Sequence, residues 1–319
     1  ETEFLLGGPI DFYVYSTKIF GLVRSDMPDY GGATVLASLT LLIIAVIIPM
    51  QRWIIQRKRY TTITGSFRPG LLDLGVWRMP IFITTMTLLF LLTIGPVLVL
   101  FMGSFMTRMG YFQINDVWTT VHWANVLTDD LFRRAFVTTV LLATTSALIS
   151  PILFSLIAYI LVRTKLPGRW ALDLIIWGSG AIPGILSSLG LLWLFLGTPF
   201  LSWMFGTIYA LLLVVIIQGN TTGTNIMKGV FVQVGNDMEE AARVAGAGWV
   251  RTYFKIWIPL LMPSLILLGT LNFVVAAGTT SSIILIASRE TRTLSLLALE
   301  YASPGIGLRE EASIVGLFI

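Results

Sequence analysis

Long apolar runs separated by short polar stretches dominate the chain. Six runs, at about residues 34–50, 80–102, 135–162, 171–196, 200–218 and 256–276, match or exceed the roughly 17–25 residues that a helix needs to cross a hydrocarbon core. None shows the strict apolar–polar alternation of a half-buried strand. The pattern therefore predicts an all-α, polytopic transmembrane helical bundle. Proline and glycine punctuate it: Pro96 lies inside the second run, Pro151 interrupts the third, and Gly178, Gly180, Pro183 and Gly184 fall within the fourth. A further apolar run begins near Ala312.

Composition agrees with this pattern. The chain is 55% hydrophobic and 12% charged, about half the charge of an average soluble domain, and its mean hydropathy is +0.84. A net charge of +4 would suggest nucleic acid in a soluble chain. Here the basic residues flank apolar runs, so they report orientation in the membrane. With residues 1–33 outside and the six runs alternating, the inside loops hold six Lys+Arg in 51–79, three in 163–170 and four in 219–255, which leaves eight of the 21 outside. The bias places 219–255 in the cytoplasm. There are no cysteines and one histidine, which excludes thiolate and polyhistidine metal sites, and no metal ligands are assigned. His122, in the outer loop 103–134, reads as a surface residue.

The most patterned polar stretch is Asn236–Pro263. Asn236 can cap a helix, with Glu239 three residues on as a capping box requires. Asp237, Glu239 and Glu240 crowd the first turn and Arg243 follows near the end, matching the helix dipole. Ala241, Ala242 and Ala245 make a small-residue surface. Gly246 stands where a left-handed C-terminal glycine is expected. A second helix then enters the bilayer after Arg251 and Lys255.

This stretch resembles the EAA loop of bacterial ABC-importer permeases: Glu240, Ala241, Ala242, Gly246, Ile256 and Pro259 fall at the family's spacing, and Ile258 replaces the usual leucine. The resemblance implies the type I ABC importer permease fold. It also implies that Glu239, Glu240, Ala241, Ala242, Gly246, Ile256 and Pro259 form a coupling segment for an ABC ATPase, two copies of which would serve two halves and use the ATP. The chain itself would bind no cofactor. A periplasmic or lipoprotein substrate-binding protein would deliver the cargo outside, membrane lipid would surround the bundle, and nucleic acid would have no part. The linker Gln56–Gly65 with Arg68-Pro69, and the run Ala181–Leu186, are similar to those of fused two-half iron(III) permeases. Residues 4–36 also echo 284–315 in their order of apolar and polar patches. The expected organisation is an outer loop and last helix of a preceding half at 1–50, a cytoplasmic linker at 51–79, and a second half at 80–319. That half would carry the coupling loop 219–255 and be cut in its last helix, so the chain reads as a C-terminal fragment.

For the pathway, glycine and proline inside a span free backbone groups that protein or a water-lined cavity must satisfy. Pro183, Gly184, Ser187 and Ser188 are therefore candidate lining residues, equally readable as close helix packing. Asn272 reads as a pore group or an interhelical hydrogen bond. Thr279 and Thr280 open a polar run, Gly278–Ser282, that is either part of the exit or an ordinary loop. No run has an ionisable residue near its middle, which argues against a proton- or sodium-coupled carrier. No G-x-x-x-x-G-K-[ST] loop occurs, and no nucleophile–base pair emerges, so the chain reads as a transport subunit without its own ATPase site. The function that follows is an ATP-driven importer permease for iron(III). Thiamine, polyamine or phosphonate importers, a secondary transporter and a membrane scaffold remain as alternatives.

Overall fold

A computed structural model describes residues 12–24, 27–57, 74–235, 237–303 and 306–319. Helices account for nearly all of it, and among these residues the β-structure is an isolated bridge between Met106 and Trp118. A short helix α1 (Tyr15–Arg24) precedes α2 (Tyr30–Arg57). The linker residues 58–73 lie outside the described residues. Next come α3 (Arg78–Ser104), α4 (Val121–Thr128), α5 (Asp130–Arg163), α6 (Arg169–Ala181) and α7 (Gly184–Gly197). The chain continues through α8 (Ile208–Gln233), α9 (Asp237–Val244), α10 (Trp249–Thr252), α11 (Ile258–Gly278), α12 (Leu294–Ala302) and α13 (Arg309–Leu317). Among the described residues, five helical segments are long and apolar enough to cross a membrane, and the bent pair α6–α7 would make a sixth.

The core of the bundle is α5 packed along α8 and α11. One apolar cluster joins Leu142, Phe195, Leu211, Val215 and Ile286. A second joins Tyr159, Phe231, Tyr253, Trp257 and Leu261. Helices α2 and α3, by contrast, leave apolar side chains such as Leu42, Leu91 and Leu92 in the open, as lipid-facing spans do.

Several expected boundaries are corrected. The third run is not interrupted at Pro151, because α5 passes through it. Proline cannot donate to Ala147, four residues back, and α11 approaches the freed carbonyl closely. A β-carbon at Gly269 would stand 2.9 Å from Ala147 O. The fifth run spans 208–233 rather than 200–218, so residues 219–233, expected in the cytoplasmic loop, are helical. Their polar side chains find partners inside the bundle: Thr221 Oγ1 donates to Ile176 O, and Thr224 Oγ1 donates to Asn220 Oδ1 at 2.9 Å. The fourth run is two helices bent by 114°. Ile182 and Pro183 both have extended backbones (ψ 123° and 141°), as a residue before proline prefers. His122 is not a free surface residue: its Nδ1 lies 2.7 Å from Glu311 Oε1.

Candidate functional site

The segment expected to couple folds as two short pieces, α9 and α10, set against the bundle. Asn236, the expected cap, lies outside the described residues. Helix α9 begins at Asp237 and carries three acidic residues in its first turn. Glu239 turns inward. Its Oε1 accepts from Tyr159 Oη of α5 at 2.8 Å and from Arg243 Nη2 at 2.6 Å. The hydrogen bond and charge of Glu239 raise the pKa of the Arg243 guanidinium above its ordinary value. Tyr159 sits among the rings of Phe231, Trp249, Tyr253 and Trp257, with centroids 5.9–6.3 Å away. The buried face of α9 is thus Glu239 and Ala242, while Glu240, Ala241 and Gly246 face solvent.

Gly246 ends the helix with φ +75°. Its N–H donates to Arg243 O at 3.0 Å, and the Ala247 N–H donates to Ala242 O at 2.9 Å, the two bonds of a Schellman ending. Trp249 then starts a helical run that continues to Gly278, with one π turn at Tyr253–Trp257. Pro259 stands exposed just beyond that turn, and Ile256 is half-buried. The missing Pro259 N–H removes an α-type bond to Lys255, and Ile258 N–H reaches Tyr253 O instead.

Two features escaped sequence reasoning. Met238 and Val244 of α9 are 51% and 91% exposed, giving its outward face apolar side chains beside Ala241. A groove of about 620 Å³ also opens between α9 and the ends of α5 and α8, lined by Arg163, Lys165, Arg169, Glu239, Glu240 and Arg243. Arg163 closes its floor by donating from Nη2 to Phe231 O at 2.7 Å and by lying over the Trp257 ring, 5.0 Å from its centroid. The i, i+3 spacing of Met238 and Ala241 was the available signal for the first feature. The second needs the fold.

The candidate pathway residues divide. Pro183, Gly184 and Thr280 come together around a cavity of about 210 Å³, joined by Ser281 and, from α1, Ser16 and Phe20. Ser187, Ser188, Asn272 and Thr279 do not line it. Thr279 is buried, with Oγ1 donating to Gln218 Oε1 at 3.3 Å. Asn272 is also buried, and its Nδ2 donates to Leu268 O of its own helix at 2.9 Å rather than to a neighbouring helix. Ser188 and Ser282 are fully buried, with hydroxyls that have no hydrogen-bond partner among the described residues. No three His, Cys, Asp or Glu side chains converge as a metal site would require among the described residues.

Comparison with known proteins accords with this architecture. A ferric transport system permease protein of Actinobacillus pleuropneumoniae is 24% identical over 305 residues, covering 94% of this chain and 43% of that protein. A probable sulfate transport system permease of Marchantia polymorpha is 33% identical over 159 residues, covering 47% of this chain and 55% of that one. The chain thus spans about half the length of these relatives. The fold is shared with a bacterial alginate ABC transporter solved in complex with an alginate pentasaccharide-bound periplasmic protein (20% identity, TM-score 0.58, 75% of this chain and 87% of that one). The family described as binding-protein-dependent transport system inner membrane component matches residues 152–318, more than half of the chain. This multi-pass membrane protein therefore belongs to that family of ABC importer permeases.

Proposed function

We propose that the chain is the permease subunit of an ATP-driven, binding-protein-dependent importer of the bacterial cytoplasmic membrane, with iron(III) as its cargo. Helix α9 carries the reading. Glu239 fastens one face to the bundle, while Met238, Glu240, Ala241 and Val244 stay open on the other. That open face suits a protein groove: the small Ala241 lets a partner approach, the apolar side chains gain from burial, and Glu240 is free to meet a basic group. The partner is an ABC ATPase subunit, one for each of two permease halves, and it alone uses ATP. A substrate-binding protein delivers cargo at the far end of the bundle.

The two-half organisation has support in the helix register. Tyr15 and Leu294 open short helices, Tyr30 and Arg309 open the helices that follow, and the members of each pair stand 279 positions apart. Helices α1–α2 and α12–α13 are then equivalent parts of two like units. For the cargo, the ferric relative matches along 94% of this chain and the sulfate relative along 47%, so the ferric name weighs more.

The test is uptake of labelled iron(III), at limiting external iron, by cells lacking the gene and complemented with wild type or Gly246→Val. A β-branched residue in the left-handed region costs about 1–2 kcal/mol, and its side chain would stand in the docking face. Wild type is expected to restore uptake. Gly246→Val is expected to reach the membrane normally and fail to transport. Iron uptake unaffected by deletion would remove the cargo assignment, normal uptake by Gly246→Val would remove the role of α9, and uptake that survives ATP depletion would remove the ATPase.

A further inference from the structure

The groove beside α9, where α5 and α8 end, has an unbalanced charge. Four cations, Arg163, Lys165, Arg169 and Arg243, line it against two carboxylates, Glu239 and Glu240. Glu239 is occupied by Tyr159 and Arg243. Glu240 is exposed, where water and salt screen it. Arg163, the last residue of α5, is half-buried and has no ion pair among the described residues. Its Nη2 donates to the carbonyls of Phe231 and Val234 at the end of α8. Its Nε is buried with no hydrogen-bond partner among the described residues. Two carbonyl dipoles offset part of the cost of a half-buried charge, and a counter-ion would offset more.

Lys165 and Arg169 stand on the short turn that joins α5 to α6. Both are exposed, and neither has an ion pair among the described residues. Gly168 makes the turn with φ +84°, and Arg169 Nη1 donates to Thr164 O at 3.0 Å, which ties its guanidinium to the end of α5. Apolar side chains accompany these cations. Val232 lines the groove and is exposed, and Leu166 and Trp170, each next to a basic residue in sequence, are exposed as well. A free anion gains nothing from such neighbours. A phospholipid does: its phosphate meets the cations while its chains meet the apolar side chains. The level is that of a membrane interface, where tryptophan gathers and where basic pockets between helix ends receive anionic headgroups.

We propose that this groove binds an anionic phospholipid, with the headgroup phosphate among Arg163, Lys165, Arg169 and Arg243 and the chains along Leu166, Trp170 and Val232. Arg243 belongs to α9, and the other three cations belong to the ends of α5 and α6 and the turn between them. The bound phosphate therefore fastens α9 to the bundle as a second tether beside Glu239. Only the assignment to the cytoplasmic leaflet rests on the orientation proposed above; the site itself depends on neither the cargo nor ATP.

The test is equilibrium binding of dihexanoyl phosphatidylglycerol, kept below its micelle concentration, to the full-length permease in a neutral detergent. Dihexanoyl phosphatidylcholine and inorganic phosphate are the comparisons. Transport is not measured, so failure here is distinct from failure of the importer reading. Saturable binding of phosphatidylglycerol is expected, on the order of tenfold tighter than either comparison and weakened by salt. Lys165→Gln combined with Arg169→Gln, two exposed and structurally mild changes, should weaken it on the order of thirtyfold. Arg78→Gln, which removes an exposed cation at the start of α3 outside the groove, should leave it unchanged. Absence of saturable binding, or wild-type binding in the double variant, would overturn the proposal. So would phosphatidylcholine bound as tightly, which makes the groove an ordinary lipid contact, or phosphate bound as tightly, which makes it a free-anion site. An equal loss in Arg78→Gln would reduce the effect to overall surface charge. Release of phosphatidylglycerol on adding the ATPase subunits would give the groove to an acidic stretch of that partner instead.

Discussion

Glu239 reaches inward to Tyr159 and Arg243, while Glu240, one residue on, stands in solvent. Substitution should separate the two. Glu239→Ala would leave the Tyr159 hydroxyl without its acceptor inside a ring cluster, a loss of about 1–3 kcal/mol. The mostly exposed Arg243 side of the pair adds little. Glu240→Ala removes no side-chain hydrogen bond or ion pair among the described residues and should leave the melting temperature unchanged while lowering uptake. Thermal unfolding beside uptake tests both halves, and equal melting temperatures for the two variants would mean that the inward carboxylate is not a tether. The sequence showed both glutamates in a first helical turn and placed the terminating Gly246. It did not tell the two carboxylates apart, because facing depends on where α5 passes, and Tyr159 lies 80 residues upstream of Glu239.

Among the elements, α8 was the least legible. Its run Gln218–Asn225 is rich in amide, hydroxyl and glycine groups and reads as a loop. Those groups instead bond to α6 and to one another within the bundle, so polarity there marks helix contact rather than solvent. The break between α6 and α7 falls at Pro183, which the sequence marked only as a proline within a span, and its size depends on two successive extended residues. Lys228 of α8 and Asp173 of α6 meet at 2.7 Å, each side chain about a quarter exposed. A double-mutant cycle with Lys228→Met and Asp173→Asn should give a coupling energy of about 0.5–3 kcal/mol. The double variant is expected to be more stable than the two single losses predict. Additive losses in melting temperature would show that the pair does not hold α6 to α8.

At the scale of the whole molecule, the long helices were readable because long apolar runs follow from bulk transfer energetics rather than from any one contact, and the flanking Lys+Arg make the orientation an expectation. The cysteine-free chain allows a direct check. A single cysteine placed at Lys165 or Met238 should react with a membrane-impermeant maleimide only in inside-out vesicles, and one at Phe112 or Glu290 only in right-side-out cells. The reverse labelling would invert the topology and remove α9 from the reach of a cytoplasmic partner. What the sequence did not disclose is that one continuous helix joins the two ends. The helical run from Trp249 to Gly278 is 30 residues long, about 45 Å at 1.5 Å per residue, and no loop divides it. Gly246 lies three residues before one end of this run and Thr280 two residues after the other. In the importer proposed above, a tug on the first would be delivered to the second as by a connecting rod, and the bilayer thickness between them would be the length of the lever.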